Sequence, residues 1–214
     1  MDNLVDFQAP STCESLELQG ALPKLRNLNL KDTKITSLII PAGMENLFSI
    51  TFPDSCKSVT FQGNLPENFR YFDLNLNEVT TLTLEGSLQN SDELNLSNTK
   101  IKSLIVLTNI NSIKTLSLSN FMDLGDVKGL EKLENLKNFH ITSPKISSVT
   151  IPAGMENLQS ITFPDSCTSV TFQGDLLKMK KLDLMFTKII SLTIPEAMKN
   201  KVVNAPAGMK VLIK

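Results

Sequence analysis

The feature that most constrains this chain is a period. Residues 25–46 read LRNLNLKDTKITSLIIPAGMEN and carry one pattern twice, apolar-x-x-apolar-x-apolar. The first copy is Leu25, Leu28 and Leu30; the second is Ile35, Leu38 and Ile40. First-type patterns begin at Leu25, Leu47, Phe69, Ser91, Ile113, Leu136, Leu158 and Met179, in steps of 22, 22, 22, 22, 23, 22 and 21 residues. Second-type patterns begin at Cys13, Ile35, Cys56, Val79, Ile101, Ile146, Cys167 and Ile189, in steps of 22, 21, 23, 22, 45, 21 and 22. A fixed period in this range marks an array of stacked units rather than a conventional globule.

Within each pattern the fourth and sixth residues obey period two, so they point to one side of a strand together. ITSLII, CKSVTF, VTTLTL and ISSVTI are also rich in β-branched residues, which suit a pleated surface. A lone strand of this length cannot bury its apolar side. Stacking the same strand from successive turns makes a parallel ladder with neighbours about 4.8 Å apart. The expected fold is therefore a β-solenoid of about ten 22-residue turns with two short parallel strands in each. Pro41, Pro53, Pro152, Pro164 and Pro195 each follow a predicted strand, where a missing N–H ends the ladder at little cost.

One stretch breaks the rhythm. Residues 121–138 lack a second-type pattern, while Val127, Leu130, Leu133 and Leu136 recur every three residues among Lys and Glu. This predicts a short helical insertion near residues 126–135 in a turn without its second strand. The whole of 1–214 is expected to form one repeat domain, with 1–12 as an N-terminal cap, 13–200 as repeats and 201–214 as a C-terminal partial repeat. Residues 40–56 also recur almost unchanged as 151–167, an offset of 111 residues, or five turns.

LRNLNLKDT, SDELNLSNT and MKKLDLMFT resemble the leucine-rich repeat signature LxxLxLxxN. The second strand of each turn, as in KITSLIIP and KIISLTIP, is similar to the BspA-like subclass, and the period is also similar to internalin-type repeats. The resemblance runs roughly from Cys13 to Ile213. At the family's asparagine-ladder position this chain has Thr33, Ser55, Asn77, Thr99, Phe121, Pro144, Ser166 and Thr187. Hydroxyls there are expected to bond the loop backbone in the asparagine's place; Phe121 and Pro144 have no group to do so. The resemblance implies a right-handed solenoid that binds proteins and shares no catalytic activity. It further implies a bacterial-type surface or secreted, virulence-associated protein with a host or cell-surface protein as partner.

Composition narrows the chemistry. A net charge of −1 with a pI of about 5.9 offers no basic stripe for phosphates, so no nucleic acid partner is expected. His140 is the single histidine, which excludes multi-histidine metal sites. No metal, no cofactor and no enzymatic activity are expected. The first residues, MDNLVDFQAPSTCES, show no signal peptide, and no apolar run is long enough to span a membrane. An extracellular or cell-surface location follows only from the resemblance. The chain is expected to be a monomer, with end-to-end association as the alternative. Cys13, Cys56 and Cys167 each take the inward first position of a second-type pattern and are expected to be buried apolar residues rather than a disulfide pair.

The outward positions separate two faces. On the first-type strands they vary from turn to turn, and the candidate partner-binding residues are Tyr71, Asp73, Glu93, Asn95, His140, Lys181 and Asp183. Tyr71 is the expected anchor, since aromatic side chains dominate hot spots. An ordinary solvated sheet face accounts for the same polar residues. On the second-type strands the outward residues form a more uniform, Ser/Thr-rich series, from Ser37/Ile39 through Thr81/Thr83 to Ser191/Thr193, interrupted by Ile39, Ile105 and the strand expected to be missing near residue 125. That series fits β-propensity and a structural role. Two alternatives stand beside recognition: a structural or targeting arm of a larger protein, and an ice- or surface-binding solenoid that uses the Ser/Thr ladder.

Overall fold

Each turn of the chain adds a short strand to one or both of two parallel columns. The computed structural model describes residues 3–64, 78–88, 92–119 and 126–214. The first-type column contains β1 (Asp6–Gln8), β2 (Asn27–Asn29), β4 (Ser49–Thr51), β7 (Glu93–Asn95), β9 (Thr115–Ser119), β11 (Asn138–Thr142), β13 (Ser160–Thr162), β15 (Leu182–Asp183) and β17 (Val202–Val203). The second-type column contains β3 (Ser37–Ile40), β5 (Ser58–Gln62), β6 (Thr81–Glu85), β8 (Ser103–Val106), β10 (Asp126–Lys128), β12 (Ser148–Ile151), β14 (Ser169–Phe172), β16 (Ser191–Ile194) and β18 (Lys210–Ile213). Ladder neighbours are parallel throughout, in the orders β1-β2-β4, β7-β9-β11-β13 and β15-β17 for the first column. For the second they are β3-β5-β6-β8-β10 and β12-β14-β16-β18.

The period-two pattern decides which side chains go inward. In β3 burial alternates exposed, buried, exposed, buried, so Leu38 and Ile40 face the core while Ser37 and Ile39 face out. Register repeats this rung by rung: Leu38 lies beside Val59, Val59 beside Leu82, and Leu82 beside Leu104. The result is one continuous core running from Ala9 to Met198. Fully burying one such aliphatic side chain stabilises by about 1.5–3 kcal/mol, much of it offset by the entropy of ordering the chain.

Among the described residues each column holds nine strands. The first turn departs from the expected pattern. The Cys13–Leu18 segment has the second-type pattern but forms no strand, and it is tied to the next rung by the Lys34 N–H donating to the Cys13 carbonyl at 2.8 Å. Leu16 and Leu18 are only half-buried there. The preceding cap, in contrast, holds a first-type strand, since β1 pairs in register with β2.

The interrupted stretch needs correction. The second-type strand is present as β10, with Val127 beside Leu104 in the β8 register. It escaped the pattern because its next inward position is Gly129, where a Cβ would lie 2.0 Å from the Val106 carbonyl oxygen. The expected helical insertion is a single 3₁₀ turn, Leu130–Lys132, followed by fully buried Leu133 and Leu136. Among the described residues no ladder joins β10 to β12, so the second column divides where this turn lies.

Corners between strands are closed by side chains. Thr33, Thr99 and Thr187 each donate Oγ1 to the carbonyl three residues back, at Leu30, Leu96 and Leu184, all at 2.8 Å. Ser55 and Ser166 reach the previous rung, donating to the Ile35 and Ile146 carbonyls at 2.7 Å. Hydroxyls thus take over the backbone-bonding task of the asparagine ladder, as the sequence implied. At the opposite corner amides do similar work: Asn46 donates to the Pro23 carbonyl at 2.7 Å and Asn157 to the Glu134 carbonyl at 2.9 Å. The three cysteines are free; Cys56 and Cys167 are buried and Cys13 half-buried. Burial pushes the Cys56 thiol up to about 11, against smaller opposing effects of backbone hydrogen bonding at Ser58 and the charge of Lys57.

Candidate functional site

The outward side chains of β7, β9, β11 and β13 form two files. Glu93, Thr115, Asn138 and Ser160 make one, and Asn95, Ser117, His140 and Thr162 the other. Neighbours in a file are about 4.8 Å apart, so Asn95 and His140 are separated by about 10 Å. Asn138 donates its amide to Thr115 Oγ1 at 3.3 Å, and His140 Nδ1 lies 3.1 Å from Thr162 Oγ1. Among the described residues no hydrogen bond orients the other ring nitrogen.

Two of the predicted binding residues also have local work. The Asn95 side-chain oxygen accepts from the Ser97 N–H at 3.0 Å, and Asp183 Oδ1 accepts from the Met185 N–H at 3.1 Å. Asn29 makes the same contact with the Lys31 N–H at 3.0 Å. Each side chain closes the turn that follows its strand, a habit of Asx residues. Asp183 Oδ2 accepts in addition from the Asn204 amide at 2.9 Å. That amide, then the Met185 N–H, and less strongly the neighbouring Lys181 charge, hold the Asp183 carboxyl below the usual carboxylate range.

Lys181 and Asp183 line a groove of about 590 Å³ together with Ser160, Thr162, Met185 and Phe186. His140 borders it through Thr162. The structure thus places Lys181 and Asp183 in one groove, with His140 joined to the Thr162 of its lining. Glu93 and Asn95 lie on β7, further along the same column, with both side chains exposed. Tyr71 and Asp73 lie outside the described residues.

The pattern scan missed the apolar lip of this groove. Met185 is 59% exposed, Phe186 81% and Ile190, just beyond the same corner, 69%. A signal was present. The corner reads Lys31–Asp32 and Ser97–Asn98 in equivalent turns, but Met185–Phe186 here.

Among the described residues no group of three or more His, Cys, Asp or Glu is placed to hold a metal ion, and no helix is long and apolar enough to cross a membrane. The groove offers charge, hydroxyls and an apolar edge on a rigid sheet, which suits binding. The description of a BspA-type leucine-rich repeat region, in six copies, matches residues 71–171 and 95–205, together more than half of the chain. No curated protein and no solved structure matches it.

Proposed function

The chain belongs to the BspA-type leucine-rich repeat family, whose repeats mark protein–protein recognition modules, and we propose that it binds a protein partner on the outward face of its first-type column. The observation that carries this reading is the variation of that face. Its two files run through Glu, Thr, Asn and Ser and through Asn, Ser, His and Thr, whereas most outward positions of the second-type face repeat Ser or Thr, with Ile39, Ile105 and Lys128 among the exceptions. Repetition serves the ladder alone; variation at solvent-facing positions gives a partner something to read. Solenoids of this kind are typically non-enzymatic, and we assign no reaction to this one. The family resemblance extends the proposal to a surface or secreted, virulence-associated setting and a host or cell-surface partner.

The test is affinity capture by the intact chain from candidate cell-surface extracts. It is followed by binding measurements on a Glu93→Ala/His140→Ala double variant. A loss of affinity of about tenfold or more supports the face, as expected when an interface loses central contacts. A partner that binds the variant unchanged overturns it.

One observation favours a second reading. Ser37, Ser58, Thr81 and Ser103 stand in one file on the second-type face, as do Ile39, Thr60, Thr83 and Ile105. A flat, regular hydroxyl array is the surface an ice-binding solenoid needs. Ile39 and Ile105 interrupt it, as does Lys128 on β10. Inhibition of ice recrystallisation by micromolar protein would support this use, and its absence would remove it.

A further inference from the structure

The corner after β15 differs from every equivalent corner described, and it differs at three positions together. Where Met185 and Phe186 stand, other turns have Lys31–Asp32, Pro53–Asp54, Ser97–Asn98 and Pro164–Asp165. Where Ile190 stands, the register has Thr36, Lys57, Thr80, Lys102, Ser147 and Thr168, each joined to a neighbour by the same backbone hydrogen bond. The fold therefore accepts polar side chains at all three places. Nothing in the packing asks for apolar ones, because the three remain more than half exposed. Met185 and Phe186 share the groove lining, with Ile190 four residues further along the chain, and large apolar side chains at a surface that does not need them mark an interaction site.

Charge identifies the kind of partner. Lys180, Lys181 and Lys188 surround this corner and are all exposed. Among the described residues Lys180 and Lys188 make no hydrogen bond or ion pair. The Asp183 carboxylate in the groove is already engaged by Asn204 and the Met185 N–H, and Asp165 is the other carboxylate in its lining. The groove continues through Thr142 and Asp165 into a second cavity of about 600 Å³ that Lys188 and Ser143 also line. Ser143 is 2% exposed, and its hydroxyl has no hydrogen-bond partner among the described residues. The connected grooves thus combine an apolar lip, unpaired cations and a spare hydroxyl.

We propose that this corner anchors an acidic segment of a protein partner, with a large apolar side chain against Met185, Phe186 and Ile190 and carboxylates at Lys180, Lys181 and Lys188. This deepens the recognition reading and rests on it for the partner's being a protein. Carboxylate-bearing segments match the cations, and the apolar lip supplies the desolvated contact that gives hot spots their energy.

The experiment selects binders from a random dodecapeptide library displayed on phage. The full chain is the bait, without depletion, and a Met185→Ser/Phe186→Ser variant is tested against the selected peptides afterwards. Both side chains are exposed, so the variant should keep its circular dichroism and unfolding midpoint. The expected peptides carry Asp or Glu around Phe, Trp or Leu. They bind the double variant, and a Lys180→Glu/Lys188→Glu variant, at least about tenfold more weakly, and they weaken as salt rises. Peptides that bind both variants as well as the parent chain overturn the proposal, as does recovery of only basic peptides or of none. Binding of phosphatidylserine vesicles through Phe186 in the absence of peptide binding also overturns it, in favour of a lipid surface. The two readings fail separately. If a captured partner needs Glu93 and His140 but not Phe186, the corner is wrong and the face stands. If acidic peptides need Phe186 while capture ignores Glu93 and His140, the corner stands without the face.

Discussion

Residues 40–56 and 151–167 differ at one position, Phe48 against Gln159, and rest on different floors. Within each block the structure is the same. β4 and β13 span equivalent residues, Ser55 and Ser166 make matching bonds to the rung before, and Cys56 and Cys167 are both buried and unpaired. Beneath the blocks the surroundings diverge. A Cβ on Gly43 would lie 2.7 Å from the Ala21 Cβ, whereas one on Gly154 would meet nothing within 4 Å. The Thr33 hydroxyl below the first block is bonded; that of Ser143 below the second has no partner among the described residues. A repeat's own sequence thus sets its shape, and its neighbour sets how much change it tolerates. That is how a one-dimensional array behaves when its stability divides into intrinsic and interfacial parts.

The largest expected effect comes from the glycine pair. Both have φ near +90°, so alanine is strained at either site. Gly154→Ala should cost about 1–2 kcal/mol from the backbone alone. Gly43→Ala adds the collision with Ala21 and should cost about 3 kcal/mol or more. Urea denaturation of the two variants checks this. Equal losses would break the comparison.

A smaller difference is expected below the blocks. Thr33→Val removes a buried hydroxyl that donates to the Leu30 carbonyl and should cost about 1 kcal/mol. Ser143→Ala removes a hydroxyl that satisfies no other group, and should lie within about 0.5 kcal/mol of neutral or stabilise. The same denaturation series reads both.

The thiols give a pH signature that the blocks share. Burial raises the folded pKa of Cys56 from 9.0 to about 11 and moves that of Cys167 in the same direction. Below the unfolded value both states hold the proton and the thiol contributes no pH dependence. Above it the unfolded chain ionises first, so stability falls as pH rises from 9 toward 11. Cys56→Ala should flatten part of that decline while leaving the pH 7–8 slope unchanged. An identical slope in the variant across the alkaline range would contradict the burial argument.

Smallest of all should be the single difference between the blocks. Phe48 is 53% exposed, so Phe48→Gln should change stability by no more than about 0.5 kcal/mol.

What the sequence disclosed follows from what a periodic pattern encodes. β3, β5, β12 and β16 were legible because two inward residues in alternation mark a strand, as Leu38 and Ile40 do. β10 was hidden because Gly129 occupies its second inward position, and only the neighbouring Val106 carbonyl explains why glycine is there. Cys13 to Leu18 satisfied the pattern and still formed no strand, because pairing depends on neighbours as well as on the segment. At the candidate site, Lys181 and Asp183 were found as outward residues. The part Asp183 plays in its own turn was not, since it depends on where the Met185 N–H points. Met185 and Phe186 were overlooked because a scan for inward apolar residues does not question an apolar residue in a turn.

We propose that partner recognition belongs to the first-type column and not to the second. The most direct measurement is the affinity of a captured partner for two sets of variants. Glu93→Ala and His140→Ala alter the first face; Ile39→Lys and Thr150→Lys alter exposed positions of the second. The predicted result is a loss of about tenfold for the first set and none for the second. Loss confined to the second set would place recognition on the second-type face instead.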